Sequence, residues 1–381
     1  MTRLLGKSPG GLEHSGFEAV ESLQGLRRIF KSYRSAHFKD LLYSMEVSFE
    51  VYRGSPGGHI VSDTTTRILG HNEIFIEITH SGLCGTDEHF FNSTQVLGHE
   101  GIGIVRLLGS NVTSVKVGDR VGFGYVRKVC GTCDNCGTGW DQYCRSARIY
   151  GECDFDVGTF GHGTVWDASC VFPIPDGYLS EDAAPLLCAG ATVWNCLSRF
   201  GARPTDRVGI LGIGGLGHLA IKIAAKMGCH VVVLSRTDDK KEDALRYGAD
   251  EFQILDQIDH SSFQPLKHLL LCGSHLLNQA SKLMRLMDTK GTIYPLTVSM
   301  ADTPVPFLPM NFRGVRIQGS LVASRQDLRE LLEFCNRKKI KPTIMKFPLT
   351  PAGVEEAMQK LRNGQIKYRA VLVREPLPGA A

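Results

Sequence analysis

The sequence lacks several features that mark membrane, secreted or nucleic-acid-binding proteins. No segment has eighteen or more consecutive apolar residues, so a transmembrane helix is not expected. The opening residues, MTRLLGKSPGG, do not contain the apolar core of a secretory signal. A net charge of +4 is small for 381 residues and gives no reason to expect a nucleic acid or a membrane as a partner. We therefore expect a cytoplasmic protein.

The composition is that of an ordinary soluble protein. The apolar fraction is 43% and the charged fraction is 22%. A chain of 381 residues exceeds the size at which one hydrophobic core stops growing, so two domains are expected. Twelve cysteines are too few at this length for a disulfide scaffold, and in a reducing compartment clustered cysteines favour metal binding over disulfides.

Four cysteines lie within the fifteen residues CGTCDNCGTGWDQYC, separated by two, two and seven residues. A disulfide knot, an iron–sulfur cluster and a metal site are all conceivable. Bacterial ferredoxins have three residues between the third and fourth cysteines and a proline after the fourth, which this stretch does not. The spacing favours a closed tetrahedral zinc site, which is structural because no ligand position is left for a substrate. Its ligands would be Cys130, Cys133, Cys136 and Cys144.

The sequence changes character along the chain. Residues 1–44 carry seven Lys/Arg against four Asp/Glu and are expected to form a poorly ordered extension. Residues 45–190 read as short strands separated by glycine-containing turns, which indicates a mostly β lobe of barrel character. Strands then alternate with helices up to about residue 330, and the remaining residues, 331–381, contain two helices and short strands.

The strand–helix part contains the motif GIGGLG between an apolar strand and an amphipathic helix. This G-x-G-x-x-G context is typical of dinucleotide binding, because its glycines allow a tight turn and a close approach of the pyrophosphate. The amides at the start of the helix would then bind the phosphates. The candidate cofactor-binding residues of this loop are Gly212, Gly214, Gly215, Leu216 and Gly217.

The end of the following strand bears on the choice of dinucleotide. An acidic residue there would bind the ribose hydroxyls of NAD, but the sequence has Ser235 in that place. The cationic and hydroxyl side chains that follow suit a 2′-phosphate and favour NADP, although two neighbouring aspartates keep NAD open. The candidate 2′-phosphate residues are Ser235, Arg236, Thr237 and Lys240.

A third set of residues is dispersed. Cys84 follows a strand, His99 lies in a turn before another strand, and Cys188 precedes the strand–helix region. One histidine and two cysteines form the ligand set of a catalytic zinc that keeps its fourth position open. Spacing alone does not exclude the other isolated cysteines as ligands of this metal.

These motifs together resemble those of the zinc-containing medium-chain dehydrogenases/reductases, and most closely the cinnamyl alcohol dehydrogenase-like branch. The matching segments are GHEGIGIVRLLGSNV, the four-cysteine lobe, PLLCAGATVW, GIGGLGHLAIKIAAKMG and YRAVLV, within residues 45–374. The resemblance implies an α/β protein. In it, a Rossmann NADP-binding domain with a doubly wound parallel sheet, residues 191–330, is inserted in a mostly β GroES-like catalytic domain formed by residues 45–190 and 331–381.

The resemblance also implies roles around the metal. Cys84, His99 and Cys188 would bind the catalytic zinc, and Glu100 could replace water as its fourth ligand. Asp87 would contact the residues that bind the zinc without binding the ion itself.

Further roles concern the substrate and cofactor. Thr86 would hydrogen-bond the substrate oxygen and begin a proton relay that continues through His89. Thr192 would contact the nicotinamide, and Arg369 would reach either the pyrophosphate or Glu100.

The implied function is reversible hydride transfer between NADPH and a zinc-bound aldehyde, with two Zn²⁺ per chain, in a homodimer. The substrates would be aromatic, allylic or other apolar aldehydes and alcohols. Reduction of an iminium or a conjugated alkene on the same scaffold is the alternative, and a silent NADPH-binding protein is another. The sequence departs from the family pattern at two places. Gly85 stands where His or Arg is common, which removes a phosphate contact or relay partner. The loop between Cys84 and His99 is shorter than in plant members and would border the substrate pocket, so the substrate preference of plant members does not carry over.

Overall fold

The computed structural model describes residues 45–273, 280–297 and 302–375. The predicted extension at residues 1–44 lies outside the described residues. In chain order, the strands are β1 (Glu46–Arg53), β2 (Val61–Ile68), β3 (Glu73–Leu83), β4 (Gly101–Leu108), β5 (Arg120–Phe123), β6 (Val126–Lys128), β7 (Arg148–Ile149), β8 (Gly163–Asp167), β9 (Val171–Pro173), β10 (Arg207–Leu211), β11 (His230–Ser235), β12 (Glu251–Ile254), β13 (Leu266–Leu271), β14 (Met287–Pro295), β15 (Arg316–Ile317), β16 (Ile344–Pro348) and β17 (Arg369–Val373).

The helices are shorter and fewer in the first half of the chain. In chain order, they are α1 (Gly85–Glu88), α2 (Asp134–Gly137), α3 (Ser180–Ala183), α4 (Ala189–Ser198), α5 (Gly215–Met227), α6 (Lys241–Tyr247), α7 (Ala280–Leu286), α8 (Phe307–Arg313), α9 (Arg325–Lys338) and α10 (Pro351–Arg362). None of the helices in the described ranges is both long and apolar enough to cross a bilayer.

A seven-stranded, mostly antiparallel sheet forms the first lobe. Its strand order is β16-β17-β3-β4-β5-β9, with β8 paired to β3. The central strand β3 alternates as its sequence predicts, because Ile74, Ile76 and Ile78 are fully buried while the residues between them are half-buried. Strands β16 and β17 come from the C-terminal part of the chain, so the chain leaves this sheet after β9 and returns to it at β16.

A six-stranded parallel sheet forms the second lobe, with the order β12-β11-β10-β13-β14-β15. Strands β10 and β11 are almost continuously apolar and buried, as expected of parallel strands that are covered on both faces. This sheet lies entirely within the chain segment between the two parts of the first sheet. The fold class predicted from the sequence is therefore confirmed.

The helices that flank the parallel sheet begin and end at recognisable signals. Helix α5 ends at Gly228 in the left-handed region, with φ of 90°, which glycine adopts without strain. Helix α9 begins after Ser324, whose hydroxyl accepts a hydrogen bond from the Asp327 amide. The predicted domain limits at residues 190/191 and 330/331 fall inside α4 and α9, so those exact limits stay predictions.

Candidate active site and metal centres

The antiparallel pairing of β3 with β4 brings two of the dispersed candidates together. Ser81 near the end of β3 is opposite Gly101 at the start of β4. Cys84 directly follows β3, while His99 and Glu100 directly precede β4. These residues therefore lie side by side although the loop between them is fourteen residues long by sequence.

Cys188 approaches the same point from the beginning of α4. It follows a buried 3-10 turn, Ala184–Leu187, and it acts as the N-cap residue of the helix. The Sγ atoms of Cys84 and Cys188 are 4.0 Å apart. One donor atom from each of Cys84, His99, Glu100 and Cys188 lies within 4.8 Å of all the others.

This arrangement fits a tetrahedral metal ion. Two thiolates about 2.3 Å from a tetrahedral zinc ion would be about 3.8 Å apart, close to the observed separation. His99 is fully buried, and its Nε2 has no hydrogen-bond partner among the described residues. A buried imidazole nitrogen without a partner is costly unless it binds something, and a metal ion would satisfy it.

Asp87 fixes two of these residues. Its Oδ1 is 2.9 Å from Nδ1 of His99, which leaves Nε2 for the metal, and its Oδ2 accepts a hydrogen bond of 2.9 Å from the Cys84 amide. A carboxylate on the second nitrogen of a metal-binding histidine sets its tautomer and its orientation. Asp87 itself is fully buried.

Glu100 lies in the same buried cluster and pairs with Arg369. Nη2 of Arg369 donates to both carboxylate oxygens of Glu100, at 2.5 and 2.6 Å. Burial raises the pKa of Glu100 to about 7, although Arg369 opposes the rise. Of the two roles considered for Arg369, the structure shows the contact with Glu100.

Gly82 makes room for this carboxylate. A Cβ atom at this position would lie only 1.9 Å from Oε2 of Glu100. The sequence analysis did not single out Gly82, although an isolated glycine inside a strand is a known sign of close approach.

The candidate proton-relay residues occupy the short helix after Cys84. Oγ1 of Thr86 lies 3.7 Å from Sγ of Cys84, and Thr86 is half-buried. His89 is exposed, and its amide donates to the carbonyl of Thr86 at 3.2 Å. Thr192 lies one helical turn after Cys188, and its hydroxyl donates to the carbonyl of Cys188 at 2.9 Å.

The glycine motif connects β10 to α5, as predicted. Gly212 has φ of 95°, in the left-handed region that favours glycine. A Cβ at Gly217 would lie 1.9 Å from the carbonyl oxygen of Gly212, whereas one at Gly214 would meet no atom within 4 Å. Gly214 is also the N-cap of α5 and provides no side-chain cap, so the first amides of α5 are available for phosphates.

The residues predicted to bind a 2′-phosphate follow β11. Ser235 is half-buried at the end of the strand, and Arg236 and Thr237 are exposed. Nζ of Lys240 donates to the carbonyl of Ile213 at 3.0 Å, so this ammonium group lies against the glycine loop.

The four predicted structural ligands, Cys130, Cys133, Cys136 and Cys144, also converge. The sulfur atoms of Cys130 and Cys136 are 3.9 Å apart, and those of Cys133 and Cys136 are 3.6 Å apart. Both distances suit a tetrahedral four-thiolate zinc site.

Backbone amides favour the thiolate form of Cys130 in this lobe. The amides of Thr132 and Cys133 donate to the sulfur of Cys130, at 3.5 and 3.3 Å, and they lower the pKa of this thiol to about 6. The amide of Cys130 donates in turn to the sulfur of Cys144 at 3.2 Å. The thiolate is the form of cysteine that binds zinc.

The chain is also similar to known alcohol dehydrogenases. Residues 70–176 match the alcohol dehydrogenase GroES-like domain. An NADP-dependent alcohol dehydrogenase C from Mycolicibacterium smegmatis is 34% identical over 81% of this chain and 92% of that protein. A probable cinnamyl alcohol dehydrogenase from Aralia cordata is also 34% identical, over 81% of this chain and 89% of that protein.

The chain belongs to the zinc-containing medium-chain dehydrogenase/reductase family, in its cinnamyl alcohol dehydrogenase-like branch.

Solved structures of this branch have the same fold. A cinnamyl alcohol dehydrogenase from Sorghum bicolor aligns with a TM-score of 0.79 and 27% identity, over 86% of this chain and 98% of its own. The Helicobacter pylori enzyme complexed with NADP(H) aligns with a TM-score of 0.78 and 25% identity, over 86% of this chain and 99% of its own.

The two glycines of the dinucleotide loop give a matched test. We expect Gly217→Ala to destabilise the protein by about 1–3 kcal/mol or more, because the methyl group meets a backbone carbonyl that side-chain rotation cannot relieve. Gly214→Ala should keep the parent Tm but bind a dinucleotide more weakly, because its methyl group would occupy the approach of the pyrophosphate. Thermal unfolding and fluorescence titration with NADPH measure the two effects. Equal stability of the two variants would contradict the packing role of Gly217.

Proposed function

We propose that the protein is a zinc-dependent, NADP(H)-linked alcohol dehydrogenase that reduces aldehydes reversibly. The observation that carries this proposal is the buried convergence of Cys84, His99 and Cys188, with the unpartnered Nε2 of His99 among the donor atoms. The catalytic ion would be held by these three residues, and Glu100 would be its alternative ligand. The structural ion would be held by the lobe at residues 130–144.

One residue joins this centre to the dinucleotide loop. Arg369 is 5% exposed, and it pairs with Glu100. Its Nη1 would be 3.2 Å from a Cβ at Gly215, so it also lies against the first turn of α5. The dinucleotide phosphates expected at the start of α5 and the metal centre therefore share a neighbour, which supports hydride chemistry between them.

When bound, zinc would act as a Lewis acid on the substrate oxygen, and the dinucleotide would supply or accept the hydride. Side chains of the protein would transfer the proton. The hydroxyl of Thr86, beside Cys84, would donate a proton to the oxygen of the aldehyde during reduction and accept it during oxidation. His89, exposed one turn later, would exchange that proton with solvent.

The residues at the end of β11 support the proposed preference for NADP(H). Ser235 has no charge to repel a 2′-phosphate, and the exposed guanidinium of Arg236 can bind one. The printed name of the Mycolicibacterium relative, an NADP-dependent enzyme, supports the same choice.

The plant relatives are named cinnamyl alcohol dehydrogenases, which supports the broad class of aromatic or allylic alcohol and aldehyde pairs. Their particular substrate is not carried over, because the loop between Cys84 and His99 is short. The homodimer and the cytoplasmic location stay predictions. Exposed apolar residues of α8, among them Phe307, Leu308 and Phe312, support an association of two chains.

Cofactor preference is tested by oxidising NADPH and NADH in parallel with cinnamaldehyde, benzaldehyde and aliphatic aldehydes. We expect turnover with NADPH and little with NADH. Ser235→Asp should lower the NADPH-over-NADH ratio of kcat/KM by about tenfold or more, which corresponds to about 1.4 kcal/mol, through repulsion of the 2′-phosphate. Ser110→Asp, an exposed serine after β4, adds the same charge as a control and should leave the ratio unchanged. A parent enzyme that prefers NADH would contradict the assignment, and NADPH binding without aldehyde turnover would favour an iminium or alkene substrate.

The metal assignment is tested by Cys84→Ala. Purified parent protein should contain two zinc ions per chain and the variant one, and the variant should lose turnover while still binding NADPH, because its glycine loop is intact. Cys335→Ala is the matched control, since Cys335 is a fully buried cysteine in α9 outside both clusters. It should retain both ions and turnover. A Cys84→Ala protein that still reduces aldehydes would contradict the proposed role of the metal.

A further inference from the structure

Tyr150 contacts the metal centre from a position that no motif marks. It follows β7 and is 1% exposed. Its hydroxyl donates to Oδ1 of Asp87 at 3.0 Å and accepts a hydrogen bond from the Gly98 amide at 3.2 Å. Its ring lies against the imidazole of His99, with centroids 4.6 Å apart and planes at 31°.

Oδ1 of Asp87 is therefore shared. The same oxygen receives the Nδ1 proton of His99, the hydroxyl proton of Tyr150 and the amide of Gly98. A carboxylate that faced His99 alone could rotate about its terminal torsion, which is soft. Donors from three directions on one oxygen, with the Cys84 amide on the other, leave it a single orientation.

The ring of Tyr150 is itself enclosed. Phe90 packs edge-on against it at 5.3 Å, and the guanidinium of Arg127 lies 5.6 Å from its centroid. Arg127 is 4% exposed and donates to the carbonyls of Cys153 and Val157, at 2.8 and 2.5 Å. The buried guanidinium of Arg127 thus holds the loop after β7 against the ring of Tyr150.

We propose that Tyr150 is a positioning residue for the catalytic metal, which acts by fixing Asp87 and by packing against the imidazole of His99, so that Nε2 of His99 is directed at the ion. This inference rests on the proposed zinc function. Removing a group that contacts a metal-binding residue in this way typically lowers metal affinity or activity by about 10–100-fold. Because Tyr150 acts through both Asp87 and the His99 ring, and only its hydroxyl contact is removed by phenylalanine, we expect the lower end of that range.

Tyr150→Phe removes the hydroxyl and keeps the ring. The Gly98 amide retains its contact with Asp87 at 3.2 Å, so no buried donor loses its last partner and the variant should fold. Tyr178→Phe is the matched control. Tyr178 is also buried, at 3% exposure, and its hydroxyl donates to a backbone carbonyl, that of Ile340 at 2.6 Å, away from the metal ligands.

The measurement is zinc retained per chain against increasing dipicolinate, with Cys84→Ala identifying which equivalent belongs to the catalytic centre. Tyr150→Phe should release that equivalent at about tenfold lower chelator than the parent. Its kcat for aldehyde reduction should fall while the KM for NADPH stays unchanged. Tyr178→Phe should lower Tm by a comparable amount and leave zinc retention and kcat at parent values.

Two results would overturn the inference. One is parent-like zinc retention by Tyr150→Phe, and the other is an equal loss in Tyr178→Phe, which would reduce Tyr150 to a core residue. Either result, obtained with a parent that holds two zinc ions and reduces aldehydes, leaves the proposed function standing. A parent that never holds the equivalent assigned to Cys84 defeats both.

Discussion

The buried imidazole of His99 is the constraint on which the active-site assignment depends. Its Nδ1 is held by Asp87, and its Nε2 lies in a protein interior where no described residue satisfies it. A polar atom in that situation costs folding free energy unless a ligand is present. Two thiols at tetrahedral spacing surround the same point, so the cost is offset when a metal ion binds, and the fold around β3 and β4 serves to keep this nitrogen directed.

The second organising contact is the pair formed by Arg369 and Glu100. These residues are 269 positions apart in the sequence, and they meet because β17 returns to pair with β3 after the parallel sheet has been completed. Arg369 lies against the first turn of α5 and also pairs with a carboxylate of the candidate metal centre, so it contacts both lobes. The return of the chain to the first sheet thus helps to assemble the candidate active site as well as the fold.

The parts predicted from the sequence are those set by short spacing. The glycine loop, the four-cysteine lobe and the polar residues after β11 each lie within about fifteen residues, so their geometry is encoded locally and could be expected before the structure. Cys84, His99 and Cys188 were grouped by their ligand chemistry and by the resemblance, and not by spacing, because long-range strand pairing determines their distance. Tyr150 and Gly82 were missed, since RIYGEC has no diagnostic pattern and the need for glycine at residue 82 arises only from the side chain of Glu100, which directly precedes the neighbouring strand β4. The hydrogen bond from Lys240 to the glycine loop could not be predicted either, because it depends on side-chain torsions.

Zinc-edge X-ray absorption of the purified protein tests the central claim most directly, because it counts ligand types without requiring a substrate. Six cysteine sulfurs shared by two ions predict an average of about three sulfur neighbours per zinc, at about 2.3 Å, and about one nitrogen or oxygen neighbour at about 2.0–2.1 Å. An average of four sulfurs, with one zinc per chain, would mean that only the lobe at residues 130–144 binds metal. That result would contradict the catalytic centre built around His99.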